Sequence, residues 1–271
     1  MDATWMITAF VVIDTLMERL GHRSDVRAHV PDSETLTIAV VAAKYCSSHH
    51  ERAVQILNGY GYLSGRISVS RFNRRLPQLA DGMAWIPEVL GEVFTTGGVF
   101  IIASLPAPGC RRTRARRCRK GRGREFCGSC PAKQEKFFGW RLQLVCRPDG
   151  VPVRVQMLPA GMHDLTSVHA LAYGLPTGAR LLGDTAYNSA ADAASILAET
   201  GGQLVPGRRA NMRPHAWLMD AIALRAYRHT IETVNRQLET MGIERLSART
   251  NAGFELKVHA TLIALICTNM S

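Results

Sequence analysis

The hydrophobic positions of the chain divide it into a helical part followed by a strand-rich part. Apolar residues recur at helical spacing from Ile7 to Leu20, and the segment from Thr35 to Cys46 is apolar on most faces. Residues 31–33 separate these segments as a break and an N-terminal cap. The pattern stays helical from Ser47 to Gln55. The chain up to about residue 92 is therefore predicted to be mostly helical.

A short basic helix is predicted near residue 70. Glycines at positions 59, 61 and 65 mark turns, and Ser68 or Ser70 can cap the helix that follows. That helix carries Arg71, Arg74 and Arg75. A turn followed by a basic helix is compatible with a helix-turn-helix that binds DNA. It is equally compatible with a surface helix whose basic face is solvated.

The strand-rich part follows a connector that is expected over residues 87–98. The run from Val99 to Ile102 is short and wholly apolar, which is typical of a strand buried on both faces. Asp149 and Gly150 separate two alternating apolar runs, which is the strongest short-range signal for a hairpin. Further strands are predicted at residues 180–183 and 203–206, with helices at 167–175, at 189–200 and beyond 217.

This order of elements predicts a mixed sheet with helices on its faces, an α/β (α+β) fold. It is the order of an RNase H-like domain. We expect a helical region over residues 1–92 and the RNase H-like domain over residues 97–271, with an arginine-rich insertion loop at 109–130.

Charge indicates a polyanionic partner. The net charge is +11 and the pI is near 9.7, which favours nucleic acid first and an anionic membrane surface second. Eight arginines and one lysine lie between positions 111 and 124 without an acid, so this loop supplies +9. We expect it to contact DNA phosphates, the alternative being a solvated basic loop. The expected contacts are Arg111, Arg112, Arg114, Arg116, Arg117, Arg119 and Lys120, and a second basic cluster comprises Arg208, Arg209 and Arg213.

The cysteines indicate a reducing compartment. Their number, seven, is odd, and they are widely spread without a secretory leader, which favours a cytoplasmic protein without a disulfide framework. The N-terminal apolar run is too short to span a bilayer, so no membrane partner is expected. Four thiolates in the basic loop could bind one zinc ion. Free cysteines in a DNA-contacting loop are the alternative, and the residues concerned are Cys110, Cys118, Cys127 and Cys130.

Two carboxylates stand where phosphoryl-transfer sites place them. Asp184 follows the apolar strand at 180–183, and Glu232 lies in an amphipathic helix beside Ile231 and Val234. Carboxylates that converge on two Mg²⁺ or Mn²⁺ ions catalyse phosphodiester chemistry. The structural alternatives are a strand-terminating Asp184 and a solvated Glu232.

Several long segments resemble bacterial insertion-sequence transposases of the DDE superfamily, and most of all the nine-eight-two insertion-sequence family. The resemblance runs over essentially the whole chain, through AAKYCSSHHERAVQIL, GYLSGRISVSRFNRRL, KFFGWRLQLVCRPDGVPVRVQMLPAGMHDLT, GDTAYNS, YRHTIETVNRQLE and ELKVHATLIALICTNMS. It implies an RNase H-like catalytic domain, metal-dependent cleavage at transposon ends and joining to target DNA. The implied partners are double-stranded DNA, as terminal inverted repeats and as target, and further copies of the chain on that DNA in the bacterial nucleoid.

The resemblance also implies roles for particular residues. Asp184 matches the second catalytic aspartate and Glu232 the catalytic glutamate, while Arg228 precedes Glu232 as in the Tyr–Arg–Glu–Lys signature. Glu239 stands where that signature often has lysine. The first catalytic aspartate would fall at Ala103, so that ligand is absent.

A substitute for the missing aspartate is not evident in the sequence. Asp164 could replace it, or could support the site together with His163. Because groups of one catalytic unit fail together, we predict little or no cleavage by this chain. Ala103 fits an engineered catalytic mutant or a decayed genomic copy.

Three functions are consistent with these features. The first is a transposase, and the second is a non-catalytic protein that occupies transposon ends as a competitor or repressor. The third is a nuclease of the same fold without strand transfer.

Overall fold

The computed structural model describes residues 1–130, 133–208 and 218–270, with the backbone alone at 218 and 219. The chain forms two compact units. The first comprises Met1–Val89 and Gln237–Ser271, and the second comprises Leu90–Arg236. The sequence-based division at residue 97 did not anticipate that the C-terminal segment groups with the N-terminal one.

The first unit is helical, as predicted. Its helices are α1 (Ala3–Arg19), α2 (Asp32–Cys46), α3 (His50–Tyr60), α4 (Val69–Arg75) and α9 (Asn251–Asn269), and α5 (Ala80–Phe94) begins in it. The apolar helices α2 and α9 pack together at its centre, where Leu36, Ile38 and Ile263 are fully buried. The Lys44 ammonium donates to Thr268 Oγ1 at 2.8 Å across this pair. Burial on nearly every face explains why α2 lacks a polar side.

Side chains fix two of the helix starts. Asp2 caps α1 by accepting the N–H groups of Thr4 and Trp5. Ser68, rather than Ser70, caps α4 by accepting the N–H of Arg71. The basic helix therefore begins where the first of the two serine candidates predicts.

The connector that is expected over residues 87–98 is wrong over residues 87–94. Helix α5 continues through Pro87 to Phe94. A proline inside a helix removes one backbone donor and crowds the preceding turn. Here Met83 lies one turn before the proline and Ile86 lies next to it, and both side chains are fully buried. The free energy of this apolar burial outweighs the cost of the proline to the helix.

The second unit contains a mixed sheet. Its strands are β1 (Val99–Arg111), β2 (Cys127–Cys130), β3 (Glu135–Cys146), β4 (Pro152–Pro159), β5 (Arg180–Gly183) and β6 (Gln203–Pro206). Strand β1 pairs in parallel with β5, and β5 with β6, while β3 runs antiparallel to β1, β2 and β4. The order β2-β3-β1-β5-β6, with β4 also on β3, confirms the expected RNase H-like fold.

Three helices follow the strands of this unit. They are α6 (Val168–Ala172), α7 (Ala190–Thr200) and α8 (Leu218–Thr240). One face of the sheet packs into a core that contains Phe100, Ile102, Leu181 and Ile196. The helix predicted at 167–175 is shorter than expected and is preceded by a 3₁₀ turn, Asp164–Ser167. The hairpin around Asp149 and Gly150 and the helix at 189–200 are confirmed.

Strand β1 is longer than its apolar run predicts. It continues to Arg111 through Pro106 and Pro108 and pairs with β3 along this length. Its pairing with β5 ends at Ile101, so among the described residues the later part of β1 has a neighbouring strand on one side only. Prolines are tolerated at such an edge because no ladder bond to the missing neighbour is lost.

Candidate functional site

The end of strand β5 brings Asp184 to the strand position beside Ala103. The parallel register pairs Phe100 with Leu181 and Ile101 with Leu182, and two residues further along each strand are Ala103 and Asp184. Phe100 and Leu181 both face the core, so alternation places Ala103 and Asp184 together on the opposite face. Ala103 is 7% exposed. An aspartate at position 103 would thus stand next to Asp184.

Asp184 is an exposed residue at the rim of the sheet with a well-defined local geometry. Its backbone remains extended, and its Oδ1 accepts the N–H of Ala186 at 2.8 Å, which caps a 3₁₀ turn, Thr185–Tyr187. Partial loss of hydration raises the pKa of the carboxyl, and the nearby Asp164 charge raises this pKa further. The N–H of Ala186 and the Arg141 guanidinium act in the opposite direction.

Asp164 lies in a hydrogen-bonded network close to Asp184. Its Oδ1 accepts Gln143 Nε2 at 2.9 Å and Arg141 Nη1 at 3.2 Å. The Oε1 of Gln143 in turn accepts the hydroxyl of Tyr187 at 2.6 Å. Gln143 and Tyr187 are fully buried, and burial raises the pKa of the tyrosine. Both polar ends of the buried amide are satisfied, which fixes its orientation.

The sequence revealed only part of this network. Asp164 was a candidate, whereas Arg141, Gln143 and Tyr187 were not. A signal existed in strand β3, since Arg141 and Gln143 are polar residues at alternate positions of an otherwise apolar run. Polar residues on the inward face of a strand require partners, and this requirement could have identified them.

Glu232 is held at the other end of the sheet. Thr230 Oγ1 donates to the carbonyl of Pro148 at 3.0 Å, in the turn between β3 and β4. Asp220, in the first turn of α8, pairs with Arg180, the first residue of β5. Both contacts lie at the edge where the parallel strands begin, whereas Asp184 follows the edge where β5 ends. Glu232 itself is exposed and pairs with Arg228 at 3.1 Å on its own helix.

The carboxylates as placed do not form a metal centre. Within the parts of the chain that the structure describes, no three His, Cys, Asp or Glu side chains are grouped to hold a metal ion. Glu232 is also absent from the charges that act on Asp184. Of the three candidate carboxylates, Asp164 and Asp184 lie near each other and Glu232 lies apart from them, so this arrangement does not fit the expected pair of Mg²⁺ or Mn²⁺ ions.

Comparison with known families decides the identity of the fold. A family model described as the transposase DDE domain matches residues 112–267, more than half of the chain. The chain belongs to this family. No curated protein and no solved structure matches it. The matched span contains Asp164, Asp184 and Glu232, and it begins after Ala103. The protein is a transposase of the DDE superfamily.

The arginine-rich segment of this transposase leaves the sheet at the end of β1 and returns to it at β2. We call residues 111–126 the excursion. It contains two 3₁₀ turns, Arg112–Arg117 and Arg124–Phe126. Phe126 packs against Phe138 and Trp140, with ring centroids 5.8 and 5.4 Å apart. Every arginine of this segment is exposed and has no ion pair among the described residues; they are Arg111, Arg112, Arg114, Arg116, Arg117, Arg119, Arg122 and Arg124.

Lys120 differs from these arginines. Its side chain is buried, and its ammonium donates to the carbonyl of Gly109 at 2.8 Å. The expectation that Lys120 contacts DNA phosphates is therefore corrected. The buried ammonium thus contacts β1 where its register against β3 shifts, between Pro108 and Cys110.

A zinc site, the alternative to free cysteines, does not fit the positions of the described cysteines. Cys110 on β1 and Cys127 on β2 both pair with Phe138, on opposite sides of β3. Two strand spacings, roughly 9.5 Å, separate their backbones, which is too far for sulfurs on one ion at about 2.3 Å. Cys118 instead hydrogen-bonds Cys110, and burial together with this contact raises the pKa of the Cys110 thiol to about 11. Cys130 lies on β2 with Cys127.

The remaining basic candidates fall into three groups. Arg71 and Arg74 on α4 are exposed and have no ion pair among the described residues. Arg75 pairs with Asp32, and Arg228 pairs with Glu232, so both have partners within the protein. Arg208 is described and exposed, whereas Arg209 and Arg213 lie outside the described residues.

The described helices include none that is both long and apolar enough to cross a membrane.

Proposed function

We propose that this transposase binds transposon-end DNA and that its strand-cleaving activity is impaired by Ala103. Within the DDE superfamily we assign it to the nine-eight-two insertion-sequence family, on the strength of the segments around Asp184 and Glu232. Intact relatives hydrolyse a phosphodiester at the transposon end. The released DNA 3′-hydroxyl then attacks a phosphodiester of the target.

One observation carries this proposal, namely the register of β1 against β5. It supports a site in which position 103 and Asp184 share a sheet face on adjacent parallel strands. An alanine there removes one of the carboxylates on which the chemistry depends, and the loss of one member of a catalytic unit costs most of the activity. Glu232 is proposed as the third carboxylate, which requires α8 to approach the Asp184 edge when DNA is bound.

Charge supports the DNA partner. Eight exposed arginines project from one anchored excursion, and each phosphate that they neutralise steepens the salt dependence of binding by roughly 0.9 in log–log slope. The guanidinium fork matches phosphate oxygens in two-point contacts. Assembly of several copies on the DNA is part of the proposal.

A second function is favoured by the same alanine. A chain that binds the ends without cutting them would compete with active transposase or form mixed oligomers with it. Both functions predict salt-sensitive DNA binding. Only the first predicts nicking once the carboxylate is restored.

A paired assay separates the two functions. The chain, Ala103→Asp and the uncharged control Ala103→Asn are incubated with end-containing DNA and Mg²⁺ or Mn²⁺. We expect nicking by Ala103→Asp alone, and its loss when Asp184→Asn is added. If none of the three proteins nicks the DNA although all of them bind it, the non-catalytic function is supported. Nicking by the unaltered chain that Asp184→Asn abolishes would refute the proposed impairment.

A further inference from the structure

A basic cleft lies in the helical unit, between the segment after α1 and the segment around α4. Its volume is about 570 Å³, which is in the range of pockets that hold small ligands. Five arginines and two aspartates line it, so its charge is +3 with the histidines neutral. The arginines are Arg27, Arg66, Arg71, Arg74 and Arg75.

Asp32 holds one side of the cleft together. It pairs with Arg75, and its Oδ2 lies 3.0 Å from Nε2 of His22. Its backbone N–H donates to Ser24 Oγ at 2.9 Å, and Arg75 also donates to the carbonyl of Val30 at 2.6 Å. These contacts tie the segment after α1 to α4. One of the five arginines is therefore already neutralised within the protein.

A second set of contacts fixes the segment that carries Arg66. Ser64 Oγ donates to the carbonyl of His29 at 3.1 Å. A Cβ at Gly65 would lie 2.6 Å from that same carbonyl oxygen, so this close approach requires glycine. Asn58 makes two hydrogen bonds with the backbone of Ile67, at 2.8 and 3.1 Å. The cleft therefore has built walls on both sides.

Four arginines remain uncompensated in these walls. Arg27, Arg66, Arg71 and Arg74 are exposed, and none has an ion pair among the described residues. Asp25 uses its carboxylate to accept the backbone N–H of Arg27 at 2.9 Å, which closes a turn. Like charges held together without counterions repel one another, and a polyanion would relieve that repulsion.

We propose that this cleft binds backbone phosphates of double-stranded DNA, with Arg27, Arg66, Arg71 and Arg74 as the phosphate ligands. The inference rests on the proposed function, because it takes DNA as the partner. It differs from a helix-turn-helix in two ways. The contacts include Arg27 and Arg66 from outside the basic helix, and Arg75 supports the cleft instead of contacting DNA.

The test compares two matched double variants of the full chain. Arg27→Gln/Arg66→Gln removes two cleft charges, and Arg19→Gln/Arg52→Gln removes two exposed charges of the same unit outside the cleft. Binding to a duplex of 20 base pairs is measured by fluorescence anisotropy over a range of KCl. We expect the cleft variant to bind about tenfold more weakly, with a salt slope lower by roughly 1–2. The control should stay within about twofold of the unaltered chain.

Each other outcome has a definite meaning. Equal binding by the two variants, with the unaltered chain binding well, overturns the cleft and leaves the proposed function standing. Failure of the unaltered chain to bind any duplex overturns both. If the cleft variant binds phosphatidylserine vesicles more weakly than the unaltered chain does, but binds DNA equally well, the assignment of DNA as the ligand is wrong. Should the first variant lose its circular-dichroism melting transition, Arg71→Gln/Arg74→Gln replaces it in the same comparison.

Discussion

The hydroxyl of Tyr187 donates to Oε1 of Gln143 at 2.6 Å, and this buried contact aims the other end of the amide at Asp164. The tyrosine belongs to the turn that follows Asp184, and the glutamine belongs to strand β3. One buried hydrogen bond therefore joins the segment that presents Asp184 to the strand that supports Asp164. Stability and site geometry should respond together when this bond is broken.

Replacement of Tyr187 by phenylalanine should destabilise the protein. The change leaves Gln143 Oε1 buried without a donor, and such a loss costs about 1–3 kcal/mol of unfolding free energy. Urea unfolding followed by circular dichroism would measure it. Tyr173→Phe is the matched control, because that tyrosine is 76% exposed. A Tyr187→Phe protein as stable as the control would contradict the network.

Replacement of Glu232 by glutamine should separate function from stability. Its ion pair with Arg228 is exposed, so we expect a change in unfolding free energy below about 0.5 kcal/mol. In an Ala103→Asp background that nicks DNA, the same substitution should reduce nicking by at least about 100-fold. Glu88→Gln, at an exposed position of α5, serves as the control. Undiminished nicking by the Glu232→Gln protein would remove this residue from the proposed site.

Acidification should destabilise the helical unit through His50. Burial, with Lys257 and His49 adding to it, lowers the pKa of this histidine from 6.5 to about 4. The unfolded chain therefore binds a proton between pH 6.5 and 4 that the folded chain does not. The contribution of neutral His50 to the unfolding free energy is therefore fully present above pH 6.5. It decreases as the pH falls below 6.5, by roughly 1–2 kcal/mol at pH 5.

The measurement is the difference in urea unfolding free energy between the chain and His50→Leu, at pH 7.5 and at pH 5. We expect this difference to move by roughly 1–2 kcal/mol in favour of the leucine variant at the lower pH. His29→Gln, at an exposed position, is measured alongside as the control variant. A constant difference for His50→Leu would mean that the buried ring titrates equally in both states.

Replacement of Arg75 by glutamine should act on stability, in contrast to its neighbour on α4. Arg75 and Asp32 are largely buried, with side chains 17% and 13% exposed, so the change leaves a carboxylate short of its main partner. A loss of about 1–3 kcal/mol is expected. Arg74→Gln removes an exposed charge that has no ion pair within the described ranges, and its unfolding free energy should stay within about 0.5 kcal/mol of that of the unaltered chain. Thermal melts of the two variants, run side by side, make the comparison; equal melting temperatures would argue against a supporting role for Arg75.

Periodicity was sufficient to predict most of the elements, because burial produces the pattern directly. It predicts the buried helix α2, the hairpin around Asp149 and Gly150, and the short strand before Asp184. Local rules misled where tertiary contacts outweighed them. Pro87 lies inside a helix, and Pro106 and Pro108 lie inside a strand, since neighbouring packing or a free edge accommodates each.

The candidate site was predictable only in part. The family resemblance was needed to match position 103 with Asp184, because the apolar runs before them predict two strands but not that these strands are neighbours. The polar alternation in β3 marks Arg141 and Gln143 as residues that need partners, but it does not indicate Asp164 and Tyr187 as those partners, because the residues meet only through the fold. The position of Glu232 depends on where α8 is anchored, and the contacts of Thr230 and Asp220 that anchor it carry no local sequence signal.

The basic residues at positions 111–124, which begin at the last residue of β1, supply +9 of the net charge of +11. The arginines of this excursion are exposed, and its base is secured by Lys120 and Phe126. Most of the net positive charge therefore lies in this one segment, while the cleft of the helical unit carries a smaller local excess. Neutralisation of this segment by a polyanion would leave the rest of the chain with a net charge of only +2, so the protein would change from strongly basic to nearly neutral on binding.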